Sequence, residues 1–268
     1  MRLSCVDAIT PGNSLREKFE NLERYGFEGI ELWLVDDEDL DLKAKAREIN
    51  EIAASYRVKP SSVIIAGPAS MAPLDSENVV ARGALWKKSV SLAADVNAVT
   101  FGAVQEEPLS AEAIMLAPVP TEAERKLLLD LVRDVGKHAE DVGGIMALEP
   151  VNRYENHFIN RLDQAVGICE EVGIDNIRIM ADTCEMNFEE RDIHEAIERA
   201  GDYICHVHLA ENNRLLPGYG HIDFRSIFNS LKKIGYGGYM ALECAIPGEG
   251  DPGDELTRCV AYLKRCMS

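Results

Sequence analysis

The stretch IRIMADTCEMNFEERDIHEAIERAGDYICHVHL, Ile177 to Leu209, holds two short β-rich runs on either side of a segment with helical period. The runs are Ile177 to Asp182 and Ile204 to Leu209, and two strands joined by a helical crossover make the unit from which parallel sheets are built. The alternation continues in both directions. Further strand candidates are Arg2 to Val6, Gly29 to Leu34, Ser61 to Ala66, Ala98 to Gly102, Ile145 to Glu149 and Tyr239 to Glu243, eight in all. Eight strands alternating with helices along 268 residues predict an α/β fold, a single (β/α)8 TIM barrel forming one domain over residues 1–268. No G-x-G-x-x-G follows the first strand, so an open dinucleotide-binding sheet has no support.

Helix starts are expected where a capping residue stands three before a Glu: Ser14 with Glu17, Thr121 with Glu124, and Asn187 with Glu190. Gly26, Gly173 and Gly235 follow apolar-periodic runs and read as helix stops. The longest non-periodic stretch, Val104 to Pro120, follows the fourth strand, where a barrel carries its catalytic loops. It reads as a substrate lid or as an ordinary long loop.

Composition narrows the function. The chain carries 28 Lys+Arg against 46 Asp+Glu, a formal charge of −18, which argues against gripping a nucleic-acid backbone or an anionic membrane surface. No apolar run is long enough to span a membrane, and MRLSCVDAIT lacks the apolar core of a secretory signal. The seven cysteines are odd in number and form no C-x-x-C pair, so they read as reduced thiols of a cytoplasmic protein.

The last four strands end in Glu149, Asp182, His208 and Glu243. A barrel delivers every strand end to one rim, so these four side chains are expected to converge. Three carboxylates repel unless a cation sits among them, and oxygen ligands with one imidazole suit Mn²⁺, Mg²⁺ or Co²⁺, with Zn²⁺ still open. His206 lies two residues before His208 on the same strand face and could be a ligand, but reads rather as a partner behind the ligands or a packed core histidine. Beyond the strand ends, Glu155, Glu185 and Arg214 sit on loops that could hold substrate, whereas Cys184 and Cys244 read as small packing residues. Strands five and eight are three places apart around the ring, so Glu149 and Glu243 would approach a bound molecule from separate directions, as two opposed bases require.

EPVNRYENHFIN, ADTCEMNFEE, HVHLAENNRLLPGYGHIDF and the closing ALE resemble the sugar isomerase/epimerase group of xylose isomerase-like barrels, notably the D-tagatose/D-psicose 3-epimerase family. The resemblance covers Ile145 to Glu243 closely, while the N-terminal half shares only the strand–helix pattern. It implies one divalent metal per chain, Mn²⁺ foremost, on Glu149, Asp182, His208 and Glu243, with Glu155 and Arg214 holding the substrate. One position departs. The family has D-T-F-H-M-N, its His touching substrate, where this chain has Cys184 and Glu185; Glu185 then either accepts from substrate hydroxyls or pairs with Arg214. The implied activity is epimerisation of a keto-sugar or keto-sugar acid through an enediolate. An aldose/ketose isomerase of the hydroxypyruvate type, or a lyase acting on a keto-glycoside, uses the same chemistry. The resemblance also implies a homo-oligomer, a dimer or tetramer. The tri-zinc nucleases of the same superfamily need histidines from both halves of the barrel, yet the six here begin at His138.

Overall fold

A computed structural model describes residues 1–268 apart from 38, 71, 105–117 and 249. Its eight strands are β1 (Arg2–Val6), β2 (Gly29–Val35), β3 (Lys59–Ala66), β4 (Thr100–Gly102), β5 (Met146–Leu148), β6 (Ile177–Asp182), β7 (Ile204–Leu209) and β8 (Tyr239–Leu242). Every ladder is parallel, and the strands run in the order β3-β2-β1-β8-β7-β6-β5-β4. The ring is completed between β3 and β4 by a single parallel bridge, Ser62 to Val99, with Val63 N–H donating to the Val99 carbonyl at 2.9 Å. The expected TIM barrel is therefore present, nearly closed, and thinnest at that seam.

Nine α-helices are described: α1 (Leu15–Tyr25), α2 (Leu42–Ala53), α3 (Val79–Asp95), α4 (Glu122–Val142), α5 (Leu162–Val172), α6 (Thr183–Glu189), α7 (Ile193–Ala200), α8 (Phe224–Lys233) and α9 (Pro252–Met267). Ser14 Oγ caps α1 by accepting from Glu17 N–H at 3.2 Å, and Thr121 and Glu124 form a reciprocal capping box on α4. Gly26, Gly173 and Gly235 stand just past helix ends with φ of 91°, 67° and 73°. The expected start at Asn187 is not there. Asp182 caps α6 directly from the end of β6, so Asn187 lies inside that helix, and Asp192 caps α7 instead. The segment Val104 to Pro120 falls largely outside the described residues.

Inside the barrel, Phe101, Ala147 and Met180 form a buried layer against Ile64 and Cys205. The Phe101 ring meets His208 edge-on, centroids 4.9 Å apart, and stacks on His206 at 6.3 Å, so this apolar layer is the floor of the polar one. Two register shifts lie in the strands that carry polar site residues, between Ile30 and Glu31 and, two residues short of Asp182, between Ile179 and Met180. Such irregularities re-aim the side chains that follow them. All seven cysteines are free, and no described helix is long and apolar enough to cross a membrane.

Candidate active site

Glu149 and Glu243 stand one residue beyond β5 and β8, Asp182 closes β6, and His208 is the penultimate residue of β7. Ligand atoms of Glu149, Asp182 and His208 lie within 4.8 Å of one another. His208 Nδ1 is 3.7 Å from Asp182 Oδ2 and 4.0 Å from Glu243 Oε2. Those three atoms are all buried without a hydrogen-bond partner. A buried polar atom without a hydrogen bond costs about 1–3 kcal/mol, and although Arg214 stands in ion-pair range of the two oxygens, three such atoms this close together are an arrangement that a divalent cation relieves further. One imidazole nitrogen among carboxylate oxygens is a donor set that fits a hard or borderline divalent ion.

The electrostatics agree with that reading. Burial foremost, then the charges of Asp182 and Glu243, hold the Glu149 carboxyl well above its ordinary range against the pull of His208. Burial and Asp182 push Glu243 up to about 7, partly offset by His208 and Arg214. Asp182 stays low despite its burial, because His208 and Arg214 favour its charged form. Asp182 also divides its labour: Oδ1 accepts from Cys184 and Glu185 N–H at 2.7 and 3.2 Å as the cap of α6, which leaves Oδ2 for the centre.

Arg214 reaches the same point from the loop after β7. Its backbone adopts φ +61°, a left-handed conformation uncommon for a side chain of this size, and is clamped by Arg214 N–H to the Glu211 carbonyl at 2.9 Å and Ala245 N–H to the Arg214 carbonyl at 2.7 Å. The guanidinium lies 3.5 Å from Asp182 Oδ2 and 3.2 Å from Glu243 Oε2, and donates to Glu185 Oε1. Glu185 is buried, and its other oxygen accepts from Asn152 N–H at 2.7 Å and Asn152 Nδ2 at 2.6 Å. Both Glu185 oxygens are thus occupied, one by Arg214. Asn152 Nδ2 also donates to Glu155 Oε1 at 3.0 Å, tying Glu155 to the same network. Cys184 and Cys244 are buried, and burial raises both thiols.

Glu31 is a residue that sequence reasoning did not single out. It is fully buried, and its Oε2 accepts from Ser62 Oγ and stands 2.9 Å from His206 Nε2 and 3.1 Å from His208 Nε2. Burial opposes its charge, but His208 and the two imidazole hydrogen bonds outweigh that and hold the carboxyl well below its usual range. For His208 burial likewise opposes the charged form, and Glu31 and Asp182 overcome it, so its pKa stands well above the ordinary value. A carboxylate on Nε2 fixes the imidazole with Nδ1 facing the acids, the outer partner that metal-bound histidines generally have. An acid in the middle of GIELWL, an otherwise apolar strand, was the available signal.

A cavity of about 250 Å³ opens on this cluster, and its lining includes Glu149, Glu243 and Arg214 together with Trp33, Ile64, Trp86 and Phe101.

Comparison with known proteins follows the same lines. The 3-dehydro-D-guloside 4-epimerase of Escherichia coli is 34% identical over 152 residues, 57% of this chain and 58% of that protein. The D-psicose 3-epimerase of Enterocloster bolteae is 36% identical over 125 residues, 47% of this chain and 42% of that one, so these two matches span about half of each relative. The L-ribulose 3-epimerase of Mesorhizobium japonicum is 29% identical over 237 residues, 88% of this chain and 77% of that one. Among solved structures, the apo 3-keto-D-glucoside 4-epimerase of E. coli superposes with a TM-score of 0.87 at 24% identity, covering 99% of this chain and 100% of that one. The D-psicose 3-epimerase of Clostridium cellulolyticum with D-tagatose gives 0.82 at 21% identity, covering 100% and 99%. At these identities the structures establish the fold alone. Residues 19–266 match the xylose isomerase-like TIM barrel family, and the chain belongs to it.

Proposed function

We propose that this chain is a keto-sugar epimerase that works with one divalent metal ion, Mn²⁺ in preference to Co²⁺, Mg²⁺ or Zn²⁺. The observation that carries the reading is a trio of buried atoms without a hydrogen bond, Asp182 Oδ2, His208 Nδ1 and Glu243 Oε2, the two oxygens within 4.0 Å of the nitrogen, beside Glu149. Glu149, Asp182, His208 and Glu243 would hold the ion. A divalent ion there supplies Lewis-acid stabilisation of the negative charge that develops on the substrate's carbonyl oxygen.

The protein's own groups do the rest. Glu243 and Glu149 each have a second oxygen, and their strand ends stand apart around the ring. One takes the proton from the carbon beside the carbonyl and the other returns a proton to the opposite face. Arg214, held by Glu185, donates to a substrate oxygen, and Glu155 accepts from a substrate hydroxyl. The floor of Phe101, Ala147 and Met180 keeps water from the barrel side of the reacting carbons. The names of the relatives support a keto-sugar as the substrate class.

The test is deuterium wash-in. The Mn²⁺-loaded protein in heavy water should place deuterium on the carbon beside the carbonyl of a keto-sugar and release the epimer, as read by NMR. Glu149→Gln and Glu243→Gln should each lower that rate by about 10²–10⁴. No exchange across a panel of keto-sugars overturns the reading, and an aldose product replaces it with the one-base isomerase.

A further inference from the structure

The names of the relatives divide between free ketoses and keto-glycosides, and the apolar part of the cavity lining bears on which of the two fits. The geometry points to Trp33 as a flat platform for the ring of a closed, glycosidically substituted keto-sugar, an inference that rests on the epimerase reading above.

Trp33 lies two residues beyond Glu31 and therefore on the same face of β2. Its indole N–H donates to Glu31 Oε1 at 2.9 Å, and its backbone N–H donates to Asp7 Oδ1 at 3.0 Å. The indole is held by one hydrogen bond and its backbone by another, yet Trp33 is 40% exposed, whereas Trp86 is 5% exposed. A tethered indole with part of its surface bare offers a flat apolar face to a ligand. Trp33 lines the cavity that contains Glu149, Glu243 and Arg214.

Ile64 and Phe101 line the same cavity, and apart from Glu149, Glu243 and Arg214, and the indole N–H groups, Ser70 is its one polar side chain among the described residues. Ser70 Oγ already accepts from Gly67 N–H at 3.1 Å. The reacting end of a keto-sugar belongs with Glu149, Glu243 and Arg214, so the remainder meets the apolar lining. An open-chain ketose carries a hydroxyl on each remaining carbon, and those turned to this lining lose water without gaining partners. A closed pyranose sorts its groups differently: hydroxyls project around the rim and C–H bonds point from the faces. A C–H face fits the negative face of an indole, while the rim hydroxyls reach the polar side or solvent. A glycosidic substituent keeps the ring in that closed form.

The experiment compares a methyl 3-keto-glucopyranoside with D-psicose, using deuterium exchange by the Mn²⁺-loaded full-length protein. The glycoside should be the better substrate by kcat/KM. Trp33→Ala should lower the glycoside value by about tenfold, mostly through KM, and should cost psicose much less; Trp33→Phe should restore most of the loss. A second readout needs no turnover. The glycoside should quench tryptophan fluorescence of the chelator-treated protein, and Trp33→Phe should remove the quench although Trp86 remains. Preference for psicose, an equal loss with both substrates, or a quench that survives Trp33→Phe overturns the platform. Exchange with neither substrate overturns the epimerase reading instead, and the quench still decides whether Trp33 meets the sugar.

Discussion

At the scale of single residues, the oxygen Glu31 Oε2 serves Ser62, His206 and His208 at once. Glu31→Gln keeps the volume but leaves one acceptor where there were two and adds a donor, so His206 and His208 compete for a smaller anchor. Mn²⁺ should bind about 10- to 100-fold more weakly to this variant by titration calorimetry, with its far-ultraviolet circular dichroism unchanged. Protons compete for the same centre. Without an ion, Glu149 and His208 hold protons well above their ordinary ranges and Glu243 up to about 7, so an ion must displace them. Apparent Mn²⁺ affinity should therefore rise with pH through neutrality, and calorimetry in buffers of different ionisation heat should register proton release; an affinity flat across that range contradicts this. The four strand-end groups were legible from sequence because a barrel makes "end of strand" and "rim of site" the same place. Glu31 was not, since its partners lie 175 and 177 residues away and nothing local to β2 announces them.

At the scale of elements, β6 and α6 meet at Asp182, which ends the strand, caps the helix and faces the centre. Its two oxygens separate these duties. Asp182→Asn keeps a good capping side chain and should unfold within about 1 kcal/mol of the parent in chelator, whereas Asp182→Ala should lose about 1 kcal/mol more by removing the cap. Both should lose Mn²⁺ binding. Chemical denaturation with and without the ion separates the two effects. The same junction explains the misplaced helix start at Asn187. An Asn three before a Glu matches a capping pattern, but the chain had already turned into helix at Asp182, and a local pattern cannot tell a start from an interior coincidence. Elsewhere the strands and the caps at Ser14 and Thr121 were legible, because each depends on neighbours within a few positions. The closure of β3 on β4 through Ser62 and Val99 depends on curvature summed over the whole sheet, which no short window contains.

At the scale of the molecule, the centre is also a joint. Four strands donate its acids and imidazole, so an ion that binds only the folded chain should stabilise the whole barrel, by about 2.7 kcal/mol at a hundredfold excess over its Kd. For a chain of this size that is a rise of several degrees in Tm, reversed by chelator and absent in Asp182→Asn; a scan unchanged by Mn²⁺ contradicts it. The grip of Glu31 on His206 and His208 crosses the barrel from the second strand to the seventh. This bears on recombination: a hybrid that joins the first four strands of one homologue to the last four of another inherits a working centre only if the incoming half brings a carboxylate at this place. The two halves are thus not interchangeable parts, and a crossover chosen by loop compatibility alone would join chains that fold together and leave His208 unaimed.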